Sequence, residues 1–188
     1  MLIKSRQRGV TLVELMVAVV IVALLLALAM PNYSTWIQNQ QTRVAAESIL
    51  NGIQLARNEA VKNNGKARFV LCAPPDSSWE VLAVSATVPS AALACGAAGA
   101  GIVSVQTRSG QEGSRLSQVA VTPAGEFAVT FNSFGRVVAG DAIAAPITDI
   151  DVANPLGGDR PLKITLGVGG NIRMCDPLLP ALTDPSRC

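Results

Sequence analysis

The 188-residue chain contains no histidine. That absence removes Ser–His–Asp and Cys–His catalysis together with imidazole-based metal sites. Aromatic residues make up only 4% of the chain and charged residues 15%, against 49% apolar. No paired-carboxylate motif and no phosphate-binding loop occurs. Gly167-Val168-Gly169-Gly170 reads as a turn between strands, because glycines alone do not make a nucleotide site. Neither catalysis nor a cofactor is expected. The four cysteines, Cys72, Cys95, Cys175 and Cys188, include no pair with CxxC-like spacing, so no metal site is expected either.

What is present is concentrated at the amino end. Val10 to Met30 is an apolar run of 21 residues, polar only at Thr11 and Glu14. As a helix it would span roughly 30 Å, the thickness of a bilayer's hydrocarbon core. Lys4, Arg6 and Arg8 precede it with no acid among them, which by the positive-inside rule keeps that end cytoplasmic and sends everything after Pro31 to the periplasm. The formal charge of +2 falls to −1 if residues 1–9 are removed, leaving twelve basic residues against 13 acidic. A near-neutral chain offers no bulk electrostatic footprint for nucleic acid.

Two kinds of processing compete. A secretory signal would be cut after a shorter apolar core, and Ala27-Leu28-Ala29 offers small residues for that cut. The run is longer than the usual core, however, and Glu14 lies inside it. A carboxylate deep in a bilayer costs about 2.5–3.5 kcal/mol. Arg8-Gly9-Val10-Thr11-Leu12-Val13-Glu14 resembles the type IV prepilin signature: a basic leader ending in Gly, an apolar residue, Thr-Leu, and Glu at the fifth mature position. The resemblance implies cleavage between Gly9 and Val10 by prepilin peptidase and N-methylation of Val10, where the family usually has Phe. It implies a single-pass protein of the bacterial inner membrane, in contact with membrane lipid and an inner-membrane assembly platform. Glu14 would neutralise a neighbouring subunit's α-amine during assembly.

The boundaries follow. Residues 1–9 form the leader and 10–30 the transmembrane half of a long helix. Residues 31–65 are its periplasmic half, kinked at Pro31, and 66–188 are a β-rich domain. In the second half-helix Ala46, Ile49, Leu50, Ile53, Ala56 and Ala60 recur at helical spacing, a stripe suited to core packing. Asn63-Asn64-Gly65 stops it. Beyond Gly65 the period becomes two, and strands are expected at Ala67–Cys72, Trp79–Val84, Ile102–Thr107, Gln118–Thr122, Phe127–Asn132, Ile147–Val152, Leu162–Leu166 and Asn171–Cys175. Gly169-Gly170 closes a hairpin. Ala91 to Gly101 is expected as a mobile loop. Phe131 and Phe134 are expected in the core. The fold class is α+β: a long amino-terminal helix packed on a carboxy-terminal antiparallel β-sheet domain.

Three segments narrow the resemblance. Asn51 to Ala60, Phe131-Asn132-Ser133-Phe134-Gly135-Arg136 and Gly170-Asn171-Ile172-Arg173-Met174-Cys175-Asp176-Pro177 are similar to GspH/FimT-type proteins. These are minor pilins of type IV pili or minor pseudopilins of type II secretion. The resemblance implies a structural subunit that initiates or tips such a filament, with other major and minor pilins or pseudopilins as partners. Cys175 and Cys188 look more like those of pilus minor pilins. FimT-like members are implicated in DNA uptake through a late Gly-Arg-x-Arg. Here the first arginine is replaced by Asn171, which leaves Arg173, with Arg136, Arg160 and Lys163, as the basic residues that could meet DNA.

An even cysteine count in an exported chain suggests two disulfides, although four separate thiols are also compatible with the spacing. Cys72–Cys95 with Cys175–Cys188 closes two short local loops, and the second would staple the Asp176–Arg187 tail. Strand placement could instead set Cys72 beside Cys175.

Overall fold

A computed structural model describes residues 9–84, 94–97, 99, 101–112, 114–138, 145–156, 158–180 and 184–188; within the helix, the side chains of 28–32 are not described. The expected leader therefore lies, Gly9 apart, outside the described residues. So do residues 91–93, 98 and 100 of the expected Ala91–Gly101 loop, along with Gly157.

The helix α1 runs from Leu12 to Lys62 as 51 residues, a length of about 75 Å at the usual rise. Thr11 caps its start with an extended backbone. Asn63 ends it, Asn64 takes a positive φ of 45°, and the Gly65 N–H returns to the Ala60 carbonyl at 3.0 Å. α1 remains helical through Pro31. Among the described residues no helix is long and apolar enough to cross a membrane. The described apolar side chains of this segment stop at Ala27, before the end of the run at Met30.

Eight strands follow: β1 (Lys66–Leu71), β2 (Trp79–Val84), β3 (Ile102–Arg108), β4 (Gln118–Thr122), β5 (Ala128–Phe131), β6 (Asp149–Ala153), β7 (Leu162–Leu166) and β8 (Ile172–Cys175). The β-rich half is divided into two four-stranded sheets, ordered β3-β2-β1-β5 and β4-β6-β7-β8. All their pairings are antiparallel. Both sheets pack on α1. Ala45, Ala46, Ile49, Ile53, Ala56 and Ala60 are fully buried and form one core with Phe69, Trp79, Val129 and Phe131 of the first sheet and Ile150, Val152 and Ile164 of the second. Small alanines let the helix lie close to the sheets, while the isoleucines fill the space between them.

β1 is buried on both faces. Ala67, Phe69 and Leu71 join the helix-side core, whereas Val70 joins Leu82, Val84 and Ala128 in a second cluster. Alternate side chains of a strand serve opposite faces. The second face also carries two buried charged residues, Arg68 and Glu80. Arg68 Nε donates to Thr130 Oγ1 at 2.8 Å. The Glu80 carboxylate accepts the Gly96 N–H at 2.6 Å and the Ser104 hydroxyl at 2.5 Å.

Candidate functional site

At the amino end, Gly9 and Val10 precede the helix and are exposed. Among the described residues, a Cβ added to Gly9 would meet nothing within 4 Å. The Thr11 hydroxyl accepts the Glu14 N–H at 3.2 Å. Thr11-x-x-Glu14 has the sequence of a capping box, and the carboxylate sits in the first helical turn, where the helix dipole favours it. Sequence reasoning missed this local role, although the spacing of Thr and Glu was its signal.

From Val10 to Leu26 the large apolar side chains are between 51% and 75% exposed in the isolated chain. They surround the helix instead of forming one stripe, and no part of the domain covers them. A helix apolar on every side requires a medium or partners that are apolar too. The domain reaches the helix at Asn39, which exchanges hydrogen bonds with Asp159 at 2.6 and 3.2 Å, and among the described residues Thr42 and Ala45 are the first buried side chains along it. Glu14 and the basic residues of the domain are therefore not brought together.

At the other end of the chain, Cys72 is bonded to Cys95 and Cys175 to Cys188. Cys72 and Cys95 lie near Glu80, but sulfurs committed to a disulfide are not thiolate ligands. The tail is held by more than sulfur. The Asp176 N–H donates to the Ser186 carbonyl at 2.8 Å. The Asp184 carboxylate accepts the hydroxyl of Ser186 at 2.5 Å and its N–H at 2.9 Å. Those two bonds, the hydroxyl first, lower the Asp184 carboxyl below its ordinary value. Arg173 donates through Nη2 to the carbonyls of Pro185 at 2.6 Å and Arg187 at 2.8 Å.

That arrangement corrects the expectation for Arg173. Its guanidinium, counted among the basic residues that could meet DNA, is a brace for the tail, because β8 ends where the stapled segment folds back. Lys163 is likewise engaged, 3.0 Å from the Asp151 carboxylate. Arg136 and Arg160 are exposed. With two of the four basic residues engaged within the chain, the DNA-binding alternative is without support. A second correction concerns the aromatics. Phe131 is fully buried, but Phe134 is 83% exposed, since it occupies the tip of the turn that follows β5.

Comparison with known proteins agrees with this geometry. The prokaryotic N-terminal methylation motif matches residues 4–30. The type II transport protein GspH domain matches residues 45–175. No curated protein sequence matches the chain. Among solved structures, the type IV minor pilin FimU of Pseudomonas aeruginosa is similar in fold, with a TM-score of 0.50 and 18% identity over 70% of this chain and 86% of that one. A second crystal form of FimU gives a TM-score of 0.49 at 18% identity, covering 70% of this chain and 90% of that one. With a methylation motif on its apolar helix and the GspH domain over most of the remainder, this chain belongs to the GspH family of type IV pilin-like proteins, the minor pilins and pseudopilins.

Proposed function

We propose that the chain is a structural subunit that initiates or tips a type IV pilus or a type II secretion pseudopilus. In this reading residues 1–9 are removed as a leader, 10–30 anchor the subunit in the inner membrane, 31–65 continue the helix and 66–188 form the periplasmic domain. The observation that carries the reading is the stretch from Val10 to Leu26, whose large apolar side chains all stand exposed in the isolated chain. A bilayer satisfies that surface before assembly, and the helices of neighbouring subunits satisfy it afterwards.

Cleavage after Gly9 places a new α-amine four residues from Glu14. Within an apolar bundle an isolated carboxylate and an isolated amine are both costly, and pairing them between neighbours lowers that cost. The Thr11 cap keeps the first turn helical, so the carboxylate is presented at a fixed height. Mass spectrometry of the membrane-extracted protein is expected to find a chain beginning at Val10 and carrying an N-methyl group. A chain beginning at Met30 would overturn the anchor and the assembly reading together.

A further inference from the structure

Turns between strands are ordinarily built from Gly, Asn, Asp and Ser. At the end of the domain remote from the anchor, two turns instead display apolar side chains. Phe134, 83% exposed, is the most exposed large hydrophobic among the described residues, and Val168 in the β7–β8 turn is 74% exposed. Val61, in the last turn of α1, is 51% exposed.

These three segments are tied to one another. Arg57 Nε on α1 donates to the Gly135 carbonyl at 3.2 Å. The Val137 N–H donates to the Val168 carbonyl at 3.2 Å. A Cβ on Gly135 would come within 3.4 Å of Val61, and one on Gly170 would overlap the Gly135 carbonyl. Arg57 lies about 70 Å along the helix from Val10 at the usual rise, so the cluster crowns the membrane-distal end.

Phe134 is also held rigidly. Asn132 Oδ1 accepts the N–H groups of Phe134 and Arg136, both at 3.0 Å. The Asn132 carbonyl accepts the Gly135 N–H at 2.8 Å, and the Asn132 N–H donates to the Arg136 carbonyl at 3.0 Å. Gly135 supplies the positive φ of 70° that closes the turn, a conformation most side chains resist. An exposed ring costs solvation, and the turn that carries this one is fixed before any partner arrives. An exposed aromatic on a preformed turn that also carries arginine has the composition of an interface hot spot. Arg57 bonds the Gly135 carbonyl and Arg136 bonds Asn132 within the same turn, and neither has an ion-pair partner among the described residues.

We propose that Phe134, with Val168 and Val61 beside it, seats a different pilin-like subunit that presents an apolar hollow rimmed by carboxylates. This inference rests on the filament reading and sharpens it by naming the surface of the chain that meets the next subunit. Charge complementarity to Arg57 and Arg136 selects an acidic rim, and ring burial supplies the affinity.

The test uses the full chain in cells that make the whole filament system. A photoreactive benzoylphenylalanine replaces Phe134, and its adducts are identified by mass spectrometry. The expected adduct is another pilin-like subunit. Adducts only with nucleic acid, with lipid or with a second copy of this chain, or no adduct, would overturn the proposal. Phe134→Ser is expected to cut recovery of the protein in sheared filaments by about tenfold, the loss of one modest hot spot, with unchanged membrane abundance and disulfide pattern. Arg136→Glu is expected to reduce it in the same direction. Wild type present in filaments with Phe134→Ser undiminished refutes this surface alone; wild type absent from filaments removes the filament reading as well.

Discussion

Gly52 lies mid-helix in α1, where glycine costs about 1 kcal/mol relative to alanine. Local propensity therefore predicts that Gly52→Ala stabilises the protein. Packing predicts the opposite. A Cβ at this position would stand 2.9 Å from Phe69 Cε2 and 3.0 Å from Trp79 Cδ2. Both rings are buried, and their centroids are 5.8 Å apart, so neither has free space to enter. The indole is further fixed by Trp79 Nε1 donating to Ser48 Oγ at 2.8 Å. Overpacking a core of this kind costs about 1–3 kcal/mol, and a strained or lost indole hydrogen bond adds about 1 kcal/mol. Packing wins, by about 1–3 kcal/mol net of the propensity gain. For a domain of this size that lowers the melting temperature by about 3–12 °C. Thermal unfolding of the full chain in detergent, followed by near-ultraviolet circular dichroism, measures it. A Trp79→Phe background should shrink the penalty, because the smaller ring leaves room for the methyl group. Gly52→Ala melting at or above wild type would refute the reasoning: the rings would then yield freely, and helix propensity would decide the sign.

Glu14→Leu is expected to insert in the membrane at least as well as wild type, since it lengthens the apolar run, but to be depleted from sheared filaments; equal incorporation would mean the carboxylate is not the docking group. Cys175→Ser with Cys188→Ser removes a closure that contributes about 3 kcal/mol for a loop of this size, and the tail should then be cleaved by chymotrypsin near Leu178 while the domain stays intact. Arg173→Ala should accelerate the same cleavage less, because the disulfide still closes the loop, and should leave any weak retention of DNA unchanged. The lowered Asp184 carboxyl means that its contribution to the tail turn is fully present above the ordinary carboxylate range and is lost as pH falls through its folded value. Protection of the Ser186 amide, which donates to that carboxylate, measured against its intrinsic exchange rate, should therefore fall only in acid.

The strands were legible because alternation and β-branched residues report a half-buried pleated surface, and each expected strand has its counterpart within a residue or two. Their assignment to two sheets was not legible, since a period of two names the buried face but not the partner. Val129 and Ile150 obey the same pattern, yet they belong to different sheets. The helix stripe was legible for Ile49, Ile53, Ala56 and Ala60, but nothing in its spacing marks Gly52 as a packing position. Its purpose appears only when Phe69 and Trp79 arrive from strands well downstream in the chain. The same limit explains the two misjudged residues. Phe134 and Arg173 were weighed by residue type, as a core aromatic and a basic residue that could meet DNA. Their surroundings depend on what folds beside them: the turn bonded to Asn132 leaves the ring exposed, and the stapled tail supplies the carbonyls that the guanidinium engages. The amino-terminal signature escapes that limit because its chemistry is local, with glycine, cap threonine and glutamate at fixed offsets on one helix end. A signature is thus readable from sequence where one segment carries it, and an arrangement is hidden where three segments must converge.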